Sequence, residues 1–187
     1  GTLLGAARHQ GFVPWDDDAD ISMLRSEYKM FQRACKRDLD TERFYFQDME
    51  NTPGYRWGYG KLRKKGTLFL RQGQENMPYE QGVFVDIFPG DNVPDGRIAR
   101  KIHNFQCFVL RKLMWSEVGQ FTEKNAFIRF LYRVMAKIPA GWNIKQIEKL
   151  INKCNAKKTE LIRTLLFPVP KGKAGYPRKW YEKSIPV

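Results

Sequence analysis

The feature that most constrains the fold of this chain is a run of acidic residues near its start. Between Trp15 and Ile21, four of the five residues at positions 16–20 are aspartates. Carboxylates this close together repel one another, which opposes packing against neighbouring structure unless a positive charge offsets them. A divalent cation would supply that charge. The alternative is a turn or a solvated face, which is the commoner structure of an Asp-rich segment.

Asp18 and Asp20 begin the segment Asp18–Leu24, whose alternation of polar and apolar residues predicts a strand. Residues i and i+2 of a strand point to the same side, so these two carboxylates can bind one metal ion together. Hard oxygen ligands with no Cys or His beside them favour Mg²⁺ or Mn²⁺.

A third acidic residue, Asp86, lies inside the apolar run from Val83 to Phe88. A buried strand carboxylate is costly unless it is paired or bound to metal, so a salt bridge to an Arg is one interpretation. If this strand lies beside the Asp18–Asp20 strand, however, three carboxylates converge. Such a set can hold two Mg²⁺ about 3.5–4 Å apart for in-line displacement at phosphorus.

Gly1 and Thr2 precede a short apolar segment that is expected to form a helix over residues 1–9. Free backbone N–H groups and a hydroxyl at a helix start suit a phosphate. The alternative is an ordinary helix start, with Thr as the cap and Gly in a tight turn.

Apolar periodicity and turn residues divide the chain near residue 95 into a mixed first part and a helical second part. The predicted strands are Asp18–Leu24, Arg43–Met49, Arg56–Arg63, Thr67–Leu70 and Gly82–Phe88, the last ended by Pro89 and Gly90. The later helices are predicted at Glu27–Leu39, Arg97–Val118, Glu123–Ile138 and Ile144–Lys157, capped by Ser26, Asp95, Thr122 and Asn143. We therefore predict an α+β fold.

The net charge of +13 is concentrated in the second part of the chain. Residues 1–95 hold 13 Lys and Arg against 15 Asp and Glu, whereas residues 96–187 hold 20 against 5. This field favours an anionic partner, such as a nucleotide diphosphate, an anionic polymer or a membrane face; the alternative is a solvated basic surface. No recognition-helix or RNP-type pattern indicates specific nucleic-acid binding.

The second part also carries large apolar residues interleaved with Arg and Lys. Such residues could lie against an anionic leaflet, although core packing is the commoner explanation of this pattern. They are Phe105, Phe108, Leu113, Phe127, Phe130 and Leu131.

Cys35, Cys107 and Cys154 are odd in number and widely spaced, which favours reduced thiols in a cytoplasmic protein. No apolar run approaches the length of a membrane span, and the chain lacks the pattern of a signal peptide. Because the sequence begins without Met and stops without a closing element, we expect an internal fragment of a longer protein.

Three segments in order resemble the LicD family, which includes bacterial phosphocholine transferases and is related to fukutin. The segments are Gly1–Ala6, Gly11–Ile21 and Val85–Pro89, with Tyr59–Arg63 and Asp91–Asp95 as supporting matches. The resemblance implies a nucleotidyltransferase-like mixed sheet as catalytic core over residues 1–95, with its N-terminus truncated. Residues 96–187 would be the helical, basic portion of the same domain, truncated at its C-terminus.

The resemblance also implies an enzyme that transfers phosphocholine, or a similar phospho-substituent, from a cytidine-diphosphate-linked donor to a glycan hydroxyl. Acceptors in the family are cell-surface glycans such as lipopolysaccharide or teichoic acid, which predicts a cytoplasmic protein at the inner face of the membrane. Asp18, Asp20 and Asp86 would be the catalytic metal ligands. Gly1 and Thr2 would sit at the donor phosphates, with Lys61 as a further phosphate contact or simply a solvated lysine.

Two other functions fit the same residues. A metal-dependent glycosyltransferase also uses an Asp-x-Asp pair to hold a nucleotide-sugar donor through a cation. A non-catalytic module that binds anions or a membrane surface would use the basic second part instead.

Overall fold

The computed structural model describes residues 1–16, 18–170 and 172–182 of the chain. Helix α1 (Thr2–Leu4) continues as a π-helical turn over Gly5–His9. The elements that follow are β1 (Asp20–Leu24), α2 (Arg25–Asp38), β2 (Phe44–Gln47), β3 (Gly60–Lys64), β4 (Phe84–Asn92), α3 (Arg97–Thr122), α4 (Ala126–Ala136), α5 (Ala140–Asn155), β5 (Leu161–Arg163), β6 (Tyr176–Pro177) and a 3₁₀ turn (Arg178–Trp180). The α+β class predicted from the sequence is confirmed.

The nine residues of β4 organise the sheet. Its strand order is β2-β3-β4-β5-β6, and β1 pairs with β4 in addition. The β1–β4 pairing is parallel, whereas β4 is antiparallel to both β3 and β5. Every strand that carries a predicted site residue is therefore β4 itself or a direct neighbour of β4.

The prediction that Pro89 and Gly90 end the strand was wrong. Pairing with β1 continues through Met23 opposite Pro89 and Leu24 opposite Gly90. A Cβ atom on Gly90 would lie 2.6 Å from the Ile162 side chain, so glycine permits the close approach of β5. The strand continues because a glycine lies where two backbones meet.

Other predicted boundaries are also corrected. Thr67–Leu70 is not a strand, and the segment before Gly60 is not part of β3. The second part of the chain is not purely helical, because β5 and β6 add two strands to the sheet. Short strands that pair only at one or two positions leave little periodicity in a sequence.

The helix caps differ from the prediction for local reasons. Helix α2 begins at Arg25, directly after β1, and Glu27 accepts the backbone N–H of Leu24 at 2.8 Å, so Ser26 lies inside the helix. The residue before α3 is Gly96, not Asp95. Asn125 caps α4 by accepting the N–H groups of Phe127 and Ile128, while Thr122 is the last residue of α3.

Asn143 is not a cap either, because α5 begins three residues earlier, after Pro139. Proline next to a helix start is favourable, since the ring fixes a helix-compatible φ angle and the missing N–H costs nothing there. The Asn143 side chain is instead buried, with no hydrogen-bond partner among the described residues.

The main hydrophobic core draws on residues from both sides of residue 95. It packs the aromatic side chains of the segment before β3, including Tyr55 and Trp57, against α3, α5 and the turn after β5. A smaller cluster of Tyr28, Phe46 and Ile87 fills the space between α2 and the sheet. The sheet is thus covered by α2 near β1 and by the helical layer near β5.

Helices α3 and α4 leave much apolar surface uncovered. Of the six apolar residues noted in the second part of the sequence, Leu113 is buried, as core packing requires. The other five are exposed, with Phe105 at 67% and Phe127 at 70%. Core packing is therefore the wrong explanation for these five residues. Within the described part of the chain, no helix is long and apolar enough to cross a bilayer.

Candidate active site

The register of the β1–β4 pair places Asp20 directly opposite Asp86. The Asp86 N–H donates to the carbonyl of Ala19 at 3.0 Å, so this pairing reaches the first residue of β1 and the one before it. Paired residues of adjacent strands point to the same face of a sheet. The expected juxtaposition of the two acidic segments is confirmed.

Asp18 lies just before β1, so the prediction that it shares a strand with Asp20 was wrong. It is half-buried and remains close enough to act on Asp20. Burial raises the pKa of Asp20, and the negative charges of Asp18 and Asp86 raise it further. Asp17 lies outside the described residues. The carboxylates of Asp18 and Asp86 are thus close enough to Asp20 to affect its ionisation, and the three together concentrate negative charge in one part of the molecule.

The start of helix α1 lies next to this group of carboxylates. The backbone N–H of Asp20 donates to the Thr2 hydroxyl oxygen at 3.0 Å. The nitrogen of Gly1 lies 3.1 Å from a carboxylate oxygen of Asp16. Because the Thr2 hydroxyl accepts that bond, its own proton is available to donate to a ligand. The structure therefore brings Gly1 and Thr2 next to Asp16 and Asp20. We call Asp18, Asp20 and Asp86, with the residues around them, the acidic edge.

Lys61 is buried and forms an ion pair with Asp86. It lies opposite Asp86 in the β3–β4 register, and its ammonium sits over the Phe84 ring at 3.4 Å from the centroid. Burial lowers the pKa of Lys61 to about 8, and the Asp86 carboxylate opposes that shift. The interpretation of Lys61 as a solvated strand lysine was wrong. Its positive charge is paired with the Asp86 carboxylate.

Burial also raises the pKa of Asp86, and Lys61 opposes this shift. The alternative to a metal site at Asp86 is a salt bridge to an Arg. The structure shows a salt bridge at Asp86, but its partner is Lys61. Among the described residues, no three His, Cys, Asp or Glu side chains converge closely enough to hold a metal ion. The carboxylate oxygens of Asp18, Asp20 and Asp86 nevertheless match the donor preference of Mg²⁺ and Mn²⁺, and their mutual repulsion favours a cation.

A cavity of about 740 Å³ opens beside Asp20. Its lining begins with Thr2, Asp20 and Ser22 and continues to Phe88, which lies opposite Ser22 in the register. The far wall is aromatic and comes from the end of the described chain, with Tyr176, Trp180 and Tyr181. The sequence analysis missed this wall. The signal in the sequence is the aromatic group Tyr176, Trp180 and Tyr181.

Asp91 is a second buried carboxylate that the sequence analysis noted only within a supporting segment. Both oxygens of Asp91 accept hydrogen bonds from Arg25, at 2.8 and 2.5 Å, and the Asn155 amide donates at 2.6 Å. These bonds join α2, β4 and α5 next to the point where β1 ends. Asp91 therefore holds the elements around the acidic edge in place.

Residues 1–108 match the sequence profile of a protein family described as "LicD/FKTN/FKRP, nucleotidyltransferase domain". The chain belongs to the LicD family. The matched region contains β1, β3 and β4, and so it includes all six predicted site residues. It ends within α3 and does not include the aromatic wall of the cavity.

Similar proteins come from two bacterial genera. The chain is 64% identical over 156 residues to "Lipopolysaccharide cholinephosphotransferase LicD" of Haemophilus influenzae, covering 78% of this chain and 57% of that protein. It is 28% identical over 96 residues to an uncharacterised protein of Rickettsia prowazekii, covering 51% of this chain and 32% of that protein. The chain thus spans little more than half of the LicD relative. No solved structure matches it.

Proposed function

We propose that this LicD-family chain carries the site that transfers phosphocholine from a cytidine-diphosphate-linked donor to a glycan hydroxyl. The observation that carries the proposal is the pairing of Asp20 with Asp86 beside the buried Lys61. An arrangement of this kind is poor for stability alone, because it gathers charge that must be desolvated. It suits an anionic, metal-bound substrate. The printed name of the Haemophilus relative supports phosphocholine as the transferred group.

In this proposal Asp18, Asp20 and Asp86 hold Mg²⁺ or Mn²⁺. The cation would neutralise charge on the phosphates and lower the pKa of the attacking hydroxyl. Thr2 can donate its hydroxyl proton to a phosphate oxygen, and Gly1 lies beside it. Lys61 pairs with the Asp86 carboxylate and favours its ionised form. In this proposal the charge of Lys61 also attracts the donor phosphates.

The reaction exchanges one bond at phosphorus. A new bond forms between the acceptor oxygen and the phosphorus that carries choline, and the bond from this phosphorus to the bridging oxygen breaks. Cytidine monophosphate leaves, and the acceptor proton passes to solvent. The acceptor is a cell-surface glycan, for which the relative's name indicates lipopolysaccharide rather than teichoic acid.

Calorimetry with the intact protein tests the site. Cytidine-diphosphate choline is titrated with and without Mg²⁺, for the wild type, Asp20→Asn and Asp38→Asn. Asp38 is an exposed aspartate at the end of α2 and, within the described part of the chain, pairs with its neighbour Arg37. We expect metal-dependent binding that is lost in Asp20→Asn and unchanged in Asp38→Asn. Equal binding by all three proteins would contradict the site, and tighter binding of nucleotide sugars would favour the glycosyltransferase alternative.

A second candidate function, contact with an anionic membrane surface, is favoured by the exposed side of α4. We call Phe127, Phe130, Leu131 and Val134 the α4 stripe; all four are exposed. Their spacing of three, four and seven residues places them along one side of the helix. Residues 97–137 hold nine Lys and Arg against two Glu. Apolar side chains beside a strong positive charge match an anionic leaflet, here the inner face of the membrane.

Vesicle flotation tests this contact. We expect the intact protein to float with vesicles that contain phosphatidylglycerol, to dissociate at high salt, and to bind pure phosphatidylcholine vesicles weakly. The double substitution Phe127→Ser/Phe130→Ser should abolish flotation, whereas Asp86→Asn should not. Failure of the wild-type protein to float would contradict the proposed membrane contact.

A further inference from the structure

We propose that the aromatic wall of the cavity beside Asp20 is the binding site for the quaternary ammonium of the transferred phosphocholine. This inference rests on the proposed function, and it assigns to Tyr176, Trp180 and Tyr181 a role in choosing the transferred group. Tyr176 lies on β6, Trp180 is the last residue of the 3₁₀ turn that follows, and Tyr181 comes directly after that turn. All three lie beyond the region that matches the family profile.

The first argument is position. Asp20 and Ser22 on β1 lie opposite Asp86 and Phe88 on β4, so these side chains share one face of the sheet. Two residues along a strand advance about 6.5–7 Å. Asp20 and Phe88 both line the cavity, and a Cβ atom on Gly90, two residues beyond Phe88 on β4, would lie 3.5 Å from the Tyr181 ring, so the aromatic wall lies further along this direction. A phosphocholine group held by its phosphate at the acidic edge therefore directs its two-carbon linker and ammonium towards the wall.

The second argument is the chemistry of the lining. A trimethylammonium group carries its charge on an apolar surface, so aromatic faces bind it well through cation–π attraction. Tyr176 and Trp180 have ring centroids 5.9 Å apart at an interplanar angle of 36°. Phe88 and Phe167, which also line the cavity, meet edge to face at 4.9 Å. Rings at several angles fit a roughly spherical cation better than a flat nucleobase, which needs parallel faces.

The third argument is charge. Asp20 is the one acidic residue among the described lining residues, and the proposed function assigns it to the metal ion, so the ammonium is left to the aromatic rings. Arg163 also lines the cavity, but its Nη atoms donate to Asn104 at 2.8 Å and to the carbonyl of Phe167 at 2.7 Å. Its guanidinium is therefore bound within the wall. Trp180 is 57% exposed, which leaves its ring open to a ligand.

The test compares three ligands on three forms of the intact protein. The ligands are cytidine-diphosphate choline, cytidine diphosphate, and the neutral analogue in which a 3,3-dimethylbutyl group replaces choline. The proteins are the wild type, Trp180→Leu and Trp142→Leu, where Trp142 is a similarly exposed tryptophan on α5 away from the cavity. All titrations contain Mg²⁺.

We expect Trp180→Leu to weaken binding of cytidine-diphosphate choline by about tenfold and to leave cytidine diphosphate unchanged. Trp142→Leu should change neither. The wild type should bind the neutral analogue several-fold more weakly than the choline compound. An equal loss for choline compound and cytidine diphosphate would overturn the inference, because Trp180 would then contact the nucleotide. Equal affinity for the charged and neutral compounds would also overturn it.

A separate measurement distinguishes failure of this inference from failure of the proposed function. Tetramethylammonium is titrated while the indole N–H signal of Trp180 is followed by NMR, with Trp180→Phe used to assign it. A shift of this signal, with the other tryptophans unmoved, supports the ammonium site even if no nucleotide donor binds. No shift of the Trp180 signal up to high tetramethylammonium concentration overturns the site, whatever donor the protein uses.

Discussion

The acidic edge and the α4 stripe depart in opposite directions from the usual distribution of residues in a folded protein. At the edge, charged side chains such as Lys61 and Asp86 are buried. On α4, large apolar side chains such as Phe127 are exposed. Buried charge and exposed apolar surface are the two informative exceptions to the general pattern. Neither the buried charges nor the exposed apolar side chains add to the stability of the fold. Each group is therefore best explained by the binding role that we propose for it.

The largest expected effect comes from separating the buried pair at the edge. Lys61→Met leaves Asp86 buried without its partner, which should lower the free energy of unfolding by about 3–5 kcal/mol. Adding Asp86→Leu should recover most of that loss, since neither charge then remains. Lys64→Met, at an exposed position of the same strand, is the control. Denaturant unfolding of the four proteins measures these changes, and a small loss in Lys61→Met would show that Asp86 is easily solvated.

Catalysis should depend on Asp86 more than stability does. Asp86→Asn keeps the shape of the side chain and its place opposite Asp20, but removes a negative oxygen ligand. We expect phosphocholine transfer to fall by at least about a hundredfold. The melting temperature should fall as well, because Lys61 is left buried beside a neutral amide, so transfer is compared at a temperature where both proteins are folded. Transfer assays on the intact protein, with Asp38→Asn as control, measure the effect. Full activity in Asp86→Asn would remove this residue from the metal site.

The acidic edge could be predicted from sequence because its signals are local and chemically costly. Each of Asp18, Asp20 and Asp86 requires a compensating partner, since a crowded or buried carboxylate is costly. The parallel pairing of β1 with β4 then places these residues in the same part of the molecule. The identity of that partner could not be predicted. A lysine on a third strand reaches Asp86 only because of the β3–β4 register, which no local pattern encodes.

Other errors have the same origin in long-range contacts. The sequence predicts a strand at Thr67–Leu70. In the structure Leu68, Phe69 and Leu70 are exposed, and the segment pairs with none of the six strands of the sheet. β6 is two residues long and exists because β5 lies beside it, so the aromatic wall had no signal of secondary structure. Strand propensity depends on neighbours that are distant in sequence.

The buried side of α3 should make the stability of the protein depend on pH, through His103. His103 is buried there beside Cys107, and burial together with the charges of Arg163 and Lys153 lowers its pKa to about 4, against the opposing charge of Asp91. Between pH 6.5 and 4 the unfolded chain therefore binds a proton that the folded chain does not. Stability from this group is complete above pH 6.5 and falls as the pH decreases towards 4.

The corresponding measurement is the free energy of unfolding at pH 7.5 and pH 5. We expect His103→Gln, which does not titrate, to lose about 2 kcal/mol less than the wild type over this interval. The comparison between two proteins cancels the carboxylates that they share. An identical loss in both proteins would show that His103 becomes protonated without global unfolding.

The smallest effect on stability should come from the α4 stripe. Because Phe127 and Phe130 are already exposed, Phe127→Ser/Phe130→Ser should change the free energy of unfolding by less than about 0.5 kcal/mol. Leu113→Ala, on the buried side of α3, should cost about 2–5 kcal/mol. If the α4 substitutions instead destabilise the protein as strongly as Leu113→Ala, the stripe is packed against other protein in solution. A near-zero cost together with lost vesicle binding would show that these residues serve a surface outside the fold, as we propose that the charges at the edge serve a substrate.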